Sequence, residues 1–353
     1  MSQIPATIDL AESLLDRRHL VGLSSLFYRA EACGADADRC ASGRWMAAML
    51  SGDFEAAWHE SDAIRRRGRP DPNRFWNGEP LAGKRVMIRC LHGYGDAIQF
   101  LRYAPKIRKS AAHLAVECAQ RAVDLIRCLP GIDEVTTWGA DASACSSTWH
   151  VQMEVMEIAY IIRSTITDLP IATNYLRLPC RELDCAARAL APKTAPRIGI
   201  VWSAGDWNPS RSLPLHALLP ILRRTEFEFW NLQGGSAREE WRRLGPGPHL
   251  RDTPLLANSG LVPLAAFTAH LDLVITVDTL AAHLAGALGI PCFLALQYAA
   301  DWRWMVERND SPWYPSLRLF RQPCVGDWAG LVRGLDRALT SWLLERSQSG
   351  IAA

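Results

Sequence analysis

In CLHGYGDAIQFLRYAP, residues 90–105, Gly93 and Gly95 lie one residue apart, Asp96 follows at once, and an amphipathic run comes next. The apolar GKRVMI before it reads as a buried strand, so these residues stand where a strand passes into a helix. Glycines at such a point leave room for a ligand against the backbone. A carboxylate there can take the proton of an attacking hydroxyl. The plainer reading is a tight turn with Asp96 as helix N-cap, worth about 1 kcal/mol. The residues alone leave both open.

A second segment has the same form. VITVDTLAAHLAGALG, residues 274–289, sets Asp278 and Thr279 at the end of an apolar strand and His283 one helical turn further on, on roughly the same face. Helix starts offer free N–H groups and partial positive charge, which suits phosphate. Arg211, in NPSRSLP, is a candidate cation for a diphosphate. Each residue has a bland counterpart: Asp278 as a cap, His283 as a core histidine, Arg211 as a solvated surface residue. The glycine pair does not form GxGxxG, so the dinucleotide fingerprint is absent, and neither HExxH nor GxxxxGK[ST] occurs. Asp36-Ala-Asp38 reads as capping at a turn. The sequence supports no metal site.

These corners need strands and helices to hold them. From residue 84 the chain alternates: strands at RVMIRC, HLAVEC, IDEVTTW and WHVQM, with helices over 96–109 and 120–128. A second series runs from RIGIVWS through FEFWNLQ, DLVITV and CFLAL, with helices near 215–224, 237–244, 262–270 and 279–288. Alternation of this kind predicts parallel sheets covered on both faces, with ligands beyond the carboxyl ends of the strands. The fold class is therefore α/β with two Rossmann-like domains, 76–190 and 191–330, parted by LPCRELDCAARALAPKTAP (178–196). A last helix, about 327 to 345, packs back on them, so 331–353 forms the C-terminal unit. Residues 1–75 form a helical region, in which 8 to 67 read as all-helical. There MAAMLSGDFEAAWHESDAIRR has the pattern of a helical hairpin turning at Gly52-Asp53, with Ala56 and Ala57 allowing close approach, and resembles a tetratricopeptide repeat. A Pro/Arg/Asn-rich linker follows at 68–80.

The totals exclude several classes. A chain of 353 residues has room for two or three cored domains. Basic and acidic residues, 39 and 37, nearly cancel, which argues against a nucleic-acid coat. The basic run IRRRGRP at 64–70 reads as a helix end or linker. Ten cysteines scattered through a long chain, without a CxxC, point to reduced thiols in the cytoplasm. The N-terminus lacks the apolar core of a secretory signal. Residues 279–300 carry no Asp, Glu, Lys or Arg, yet Gly289 and Pro291 cut them into pieces too short to span a bilayer, so no transmembrane segment is expected.

Taken together, GYGDAIQFLRYAP, GIVWSAGDWNPSRSLPL, VITVDTLAAHLAGALGIP and DWRWMVERNDSPWYPSLRLFRQPCVGDW, in this order across residues 40 to 345, resemble glycosyltransferase family nine, the heptosyltransferase-like family. More closely they resemble its bacterial branch with N-terminal tetratricopeptide repeats. The resemblance implies a GT-B fold and inverting, metal-independent transfer of a sugar, heptose included, from a nucleotide diphosphate donor to a hydroxyl. It matches Asp96 to the general base, with Gly93 and Gly95 beside the substrate. Ser203, Arg211, Gln233, Asp278, Thr279 and His283 fall at donor-binding positions. It implies no cofactor beyond the donor, with ADP-heptose among the candidates. The acceptor would be a glycan, a lipid-linked or a protein hydroxyl, and the helical repeats could hold a protein partner. The expected place is the cytoplasm, its inner-membrane face included. Leu280 and Ala282 stand where relatives carry glycine and serine. Two other readings compete: an inactive scaffold that recruits a partner, and a nicotinamide-dependent oxidoreductase, which the missing glycine fingerprint disfavours.

Overall fold

The structure, a computed structural model, describes residues 4–68, 76–138, 149–170, 174–190, 192–206, 208–245, 247–253 and 260–348. Four helices come first: α1 (Ile4–Asp16), α2 (Leu23–Ala32), α3 (Ala37–Ser51) and α4 (Phe54–Arg67). Asp36 caps α3 by accepting from the Arg39 N–H, as its place at a turn suggests. Gly52 ends that helix with φ +82°, a left-handed conformation that favours glycine, and Asp53 caps α4. Residues 69–75 of the expected linker, and with them the boundary at 75, lie outside the described residues.

The first lobe is a four-stranded parallel sheet in the order β3-β2-β1-β4. Its strands are β1 (Arg85–Arg89), β2 (His113–Cys118), β3 (Glu134–Thr137) and β4 (Val151–Glu154). Val86, Met87 and Ile88 are all buried, the unbroken apolar run of a strand covered on both faces. Helices α5 (Tyr94–Phe100), α6 (Ala104–Ser110), α7 (Val123–Ile126) and α8 (Ile158–Ile161) surround it. The helix expected over 96–109 is broken by a 3₁₀ turn at Leu101–Tyr103. Pro105, with no N–H to give, follows at the second position of α6.

A helix absent from the sequence-based expectation, α9 (Cys180–Ala189), fills much of the presumed connector 178–196. The second lobe is a six-stranded parallel sheet in the order β10-β9-β8-β5-β6-β7. It comprises β5 (Arg197–Val201), β6 (Glu228–Asn231), β7 (Leu250–Arg251), β8 (Leu273–Val277), β9 (Cys292–Leu296) and β10 (Leu317–Arg321). Between them run α10 (Leu219–Leu222), α11 (Arg238–Arg243), α12 (Leu261–Thr268) and α13 (Leu280–Leu288). His270, just past α12, bonds the Leu183 carbonyl of α9, so that connector helix packs on the second lobe. The final helix, α14 (Trp328–Gln348), buries Leu331, Val332, Leu335 and Leu339 in a core shared with Ile198, Ile200 and Phe229, and belongs to the same lobe.

The helical segment touches both lobes. Trp58 Nε1 donates to the Ser164 carbonyl at 2.8 Å, and Arg163 pairs with Asp62 at 2.6 Å. On the other side Val306 N–H bonds Leu50 O, and Trp45 meets Trp302 edge-on at 5.6 Å. The nine cysteines among the described residues are free. No described helix is long and apolar enough to cross a membrane.

Candidate active site

Both corners lie at carboxyl ends of central strands, and both differ from the expected capping. At the first, Gly93 is the N-cap of α5 and Asp96 is its third residue. Asp96 Oδ2 reaches back to accept the Gly93 N–H at 3.0 Å, one arm of a capping box. At the second, Thr279 caps α13 through Oγ1 and the Ala281 N–H at 3.3 Å, and Asp278 stands one residue outside the helix.

The corners meet directly. A Cβ built on Gly95 would come within 2.5 Å of the His283 ring. The ring thus fills the space beside this glycine that the sequence reading gave to substrate: Gly95 is needed for helix approach. His283 is 5% exposed, its Nδ1 lies 3.0 Å from the Tyr314 hydroxyl, and its face is tilted on Trp304. Burial, reinforced by the Arg303, Arg102 and Arg211 cations, pushes its pKa down to about 3, so it is a neutral side chain in the lobe interface.

Asp278 is 8% exposed. Burial, with Asp301 nearby, pushes its carboxyl up to about 6. Arg211 Nη1 donates to the Asp278 carbonyl at 3.0 Å and lies 4.0 Å from the carboxylate, so these two expected donor residues are brought together. Gln233 is locked rather than free: its Oε1 accepts the N–H groups of Trp202 and Ser203, and its Nε2 donates to the carbonyls of Ser203 and Gly234. Its geometry is that of a loop clamp shaping the turn after β5. Ser203 Oγ faces Ser212 Oγ at 3.5 Å in the same turn.

Sequence reasoning missed the cation at the centre. Arg303, in the loop between β9 and β10, donates through Nη2 to Asp96 Oδ1 at 2.7 Å and through Nη1 to Asp301 Oδ1 at 2.8 Å. It also missed Glu154, at the end of β4, whose Oε2 accepts the Met156 N–H. Its buried Oε1 has no hydrogen-bond partner and lies 3.9 Å from His92 Nε2. Burial pushes this carboxyl up as well. The available signal was Asp301-Trp302-Arg303-Trp304, charges set inside an aromatic run at the carboxyl end of a strand. Among the aromatic residues of this loop, Trp304, Trp313 and Tyr314 are packed in the core, while half-buried Trp302, together with Trp313, lines a cavity of about 1230 Å³. Trp45 and Trp58 of the helical segment and His92 and Glu154 of the first lobe form other parts of its wall.

No protein-family profile matches the chain. Protein FlbA of Caulobacter vibrioides is 27% identical over 290 residues, 76% of this chain. The chain spans about half the length of that curated relative, 48% of it. Among solved structures, a family 9 glycosyl transferase from Veillonella parvula superposes with a TM-score of 0.56 at 15% identity, covering 76% of this chain and 100% of that one. ADP-heptose lipopolysaccharide heptosyltransferase II of E. coli gives a TM-score of 0.54, also at 15% identity, over 74% and 99%. The two parallel α/β lobes, which meet where Asp96 pairs with Arg303 and Gly95 presses on His283, have the GT-B-like fold of these family 9 glycosyltransferase structures.

Proposed function

We propose that this chain is an inverting glycosyltransferase that moves a sugar from a nucleoside diphosphate donor to a hydroxyl. One observation carries the reading: a partly exposed carboxylate, Asp96, at the carboxyl end of a central strand, is fixed through both oxygens, and Gly95 beside it presses on His283 of the helix that begins at the Arg211–Asp278 corner of the opposite lobe. The acceptor hydroxyl attacks the anomeric carbon opposite the departing diphosphate, and Asp96 takes its proton as positive charge develops on the sugar. The leaving diphosphate is met by Arg211 and the backbone amides at the start of α13, in keeping with transfer that needs no metal. Ser203 and Thr279 line the donor side in this reading, with Gln233 shaping their loop. His283 supports the corner from within.

The acceptor enters, we infer, through the cavity beside Glu154. Its walls come from the helical segment as well as the first lobe, so the helices shape the acceptor side. A tetratricopeptide-like role in holding a protein partner agrees with the hairpin of α3 and α4. The chain would work in the cytoplasm or at its membrane face.

Thermal unfolding with ADP, GDP and UDP tests the donor half. A nucleotide at 100 times its dissociation constant adds about 2.7 kcal/mol of stability. Stabilisation by one of the three and little by the others is expected, ADP being the first choice. A transition that none of them moves would remove the donor reading and favour an inactive scaffold.

A further inference from the structure

Arg303 is 9% exposed and immobilised along its length. Its backbone N–H donates to Asp301 Oδ1 at 3.0 Å, and its carbonyl accepts from Trp313 Nε1 at 3.0 Å. The guanidinium lies over the Trp302 ring at 4.6 Å, with Phe100 at 5.5 Å and Met156 Sδ 3.2 Å from Nη2. Burial disfavours its charge, but Asp301 and Asp96 outweigh that and keep it a firm cation. One end of the fork is thus anchored on Asp301 in its own loop. The other reaches out of the second lobe to a carboxylate of the first.

That carboxylate has one oxygen on the Gly93 N–H and the other on Arg303 Nη2. Two fixed bonds to two oxygens set the plane of the group, and each ionised oxygen keeps a further acceptor site for an incoming hydroxyl. Gly93 belongs to the first lobe and Arg303 to the second, so the carboxylate is fully oriented only while the lobes are together.

We propose that Arg303 is the positioning residue through which the second lobe aims the Asp96 carboxylate at the acceptor hydroxyl. This role rests on the transferase reading above. It is a role in orientation: Arg303 itself touches neither sugar nor hydroxyl.

A double-mutant cycle tests it, because a residue acting through Asp96 loses its effect once Asp96 cannot act. The rate read is release of nucleoside diphosphate from ADP-heptose, or from a UDP- or GDP-linked hexose if that is the donor turned over. Arg303→Met should lower kcat about 100-fold, the scale of a catalytic group displaced by roughly 1 Å, with the KM for donor little changed. In an Asp96→Asn background the same substitution should change the residual rate by less than about threefold. Arg303→Lys, which keeps the charge but not the fork, should recover part of the loss. If Arg303→Met loses its cooperative unfolding transition, Arg303→Lys is carried through the same cycle. Equal fold losses in both backgrounds, or an unchanged kcat, would overturn the positioning role alone. Wild-type turnover by Asp96→Asn would remove Asp96 as the base and the positioning role with it, whereas no nucleoside diphosphate released from any of these donors would overturn the transferase reading on which both stand.

Discussion

The two strand-to-helix corners begin from similar sequence and end in different physical states. At the first, a glycine cap lets Asp96 sit inside the helix, and its side chain remains 24% exposed with both oxygens held. At the second, Thr279 takes the capping task, which leaves Asp278 outside the helix and buried against Arg211. The difference is one of solvent rather than residue type. A carboxylate that keeps water on one side can exchange protons with a substrate, whereas one sealed from water bears a desolvation cost and suits holding a neighbour in place.

Breaking the first corner should have the largest effect. Asp96→Asn is expected to lower turnover about 10³-fold, within the range of a general base, while nucleotide binding and the unfolding midpoint stay close to wild type. Steady-state rates beside a nucleotide titration check it, and retained transfer would remove Asp96 as the base.

The second corner should show itself in stability against pH. Asp278 has a folded pKa raised from its ordinary value to about 6, so its folded state favours the proton. That contribution is present at low pH and is lost as pH rises through about 6, to the extent of about 3 kcal/mol. His283 runs the other way. Its folded pKa is depressed from 6.5 to about 3, so stability present above 6.5 is lost as pH falls toward 3. Asp278→Asn should therefore steepen the loss of stability between pH 6 and 4 relative to wild type, and His283→Gln should flatten it. Urea unfolding across that range measures both, and parallel curves for all three proteins would refute the burial of these groups.

The contact between the corners can be probed with a single methyl. Gly95→Ala places a carbon 2.5 Å from His283 Cδ2, and one of the two helices must move. A destabilisation of about 1–3 kcal/mol is expected from such overpacking. A folded Gly95→Ala protein with an unchanged midpoint would mean that the lobes do not press together at this point.

Much of the scaffold was legible from residue patterns. HLAVEC and CFLAL form strands with the predicted bounds, and Gly52-Asp53 and Gly289 end helices where expected, since apolar runs and glycine turns act locally. β10, Leu317–Arg321, escaped notice. It is a short edge strand after Pro315, and its parallel pairing with β9 is specified by a partner two dozen residues away. Helix α9 was hidden in a stretch read as a connector, where charged residues and cysteines obscured one apolar face. At the site, Asp96 and Asp278 could be picked out as carboxylates at strand-to-helix corners, and Arg211 as a candidate cation in NPSRSLP. Arg303 could not be matched to Asp96, because 207 positions separate them.

The sequence by itself determined the strand and helix series, the two corners and which ionisable groups stand at them, because hydrophobic period and turn chemistry are properties of neighbouring residues. Tertiary structure alone decided which of those groups keep water, which are sealed, and which cation meets which carboxylate. Desolvation and ion pairing depend on what the rest of the chain brings within a few ångströms, and that is set only when the lobes and the helical segment have packed.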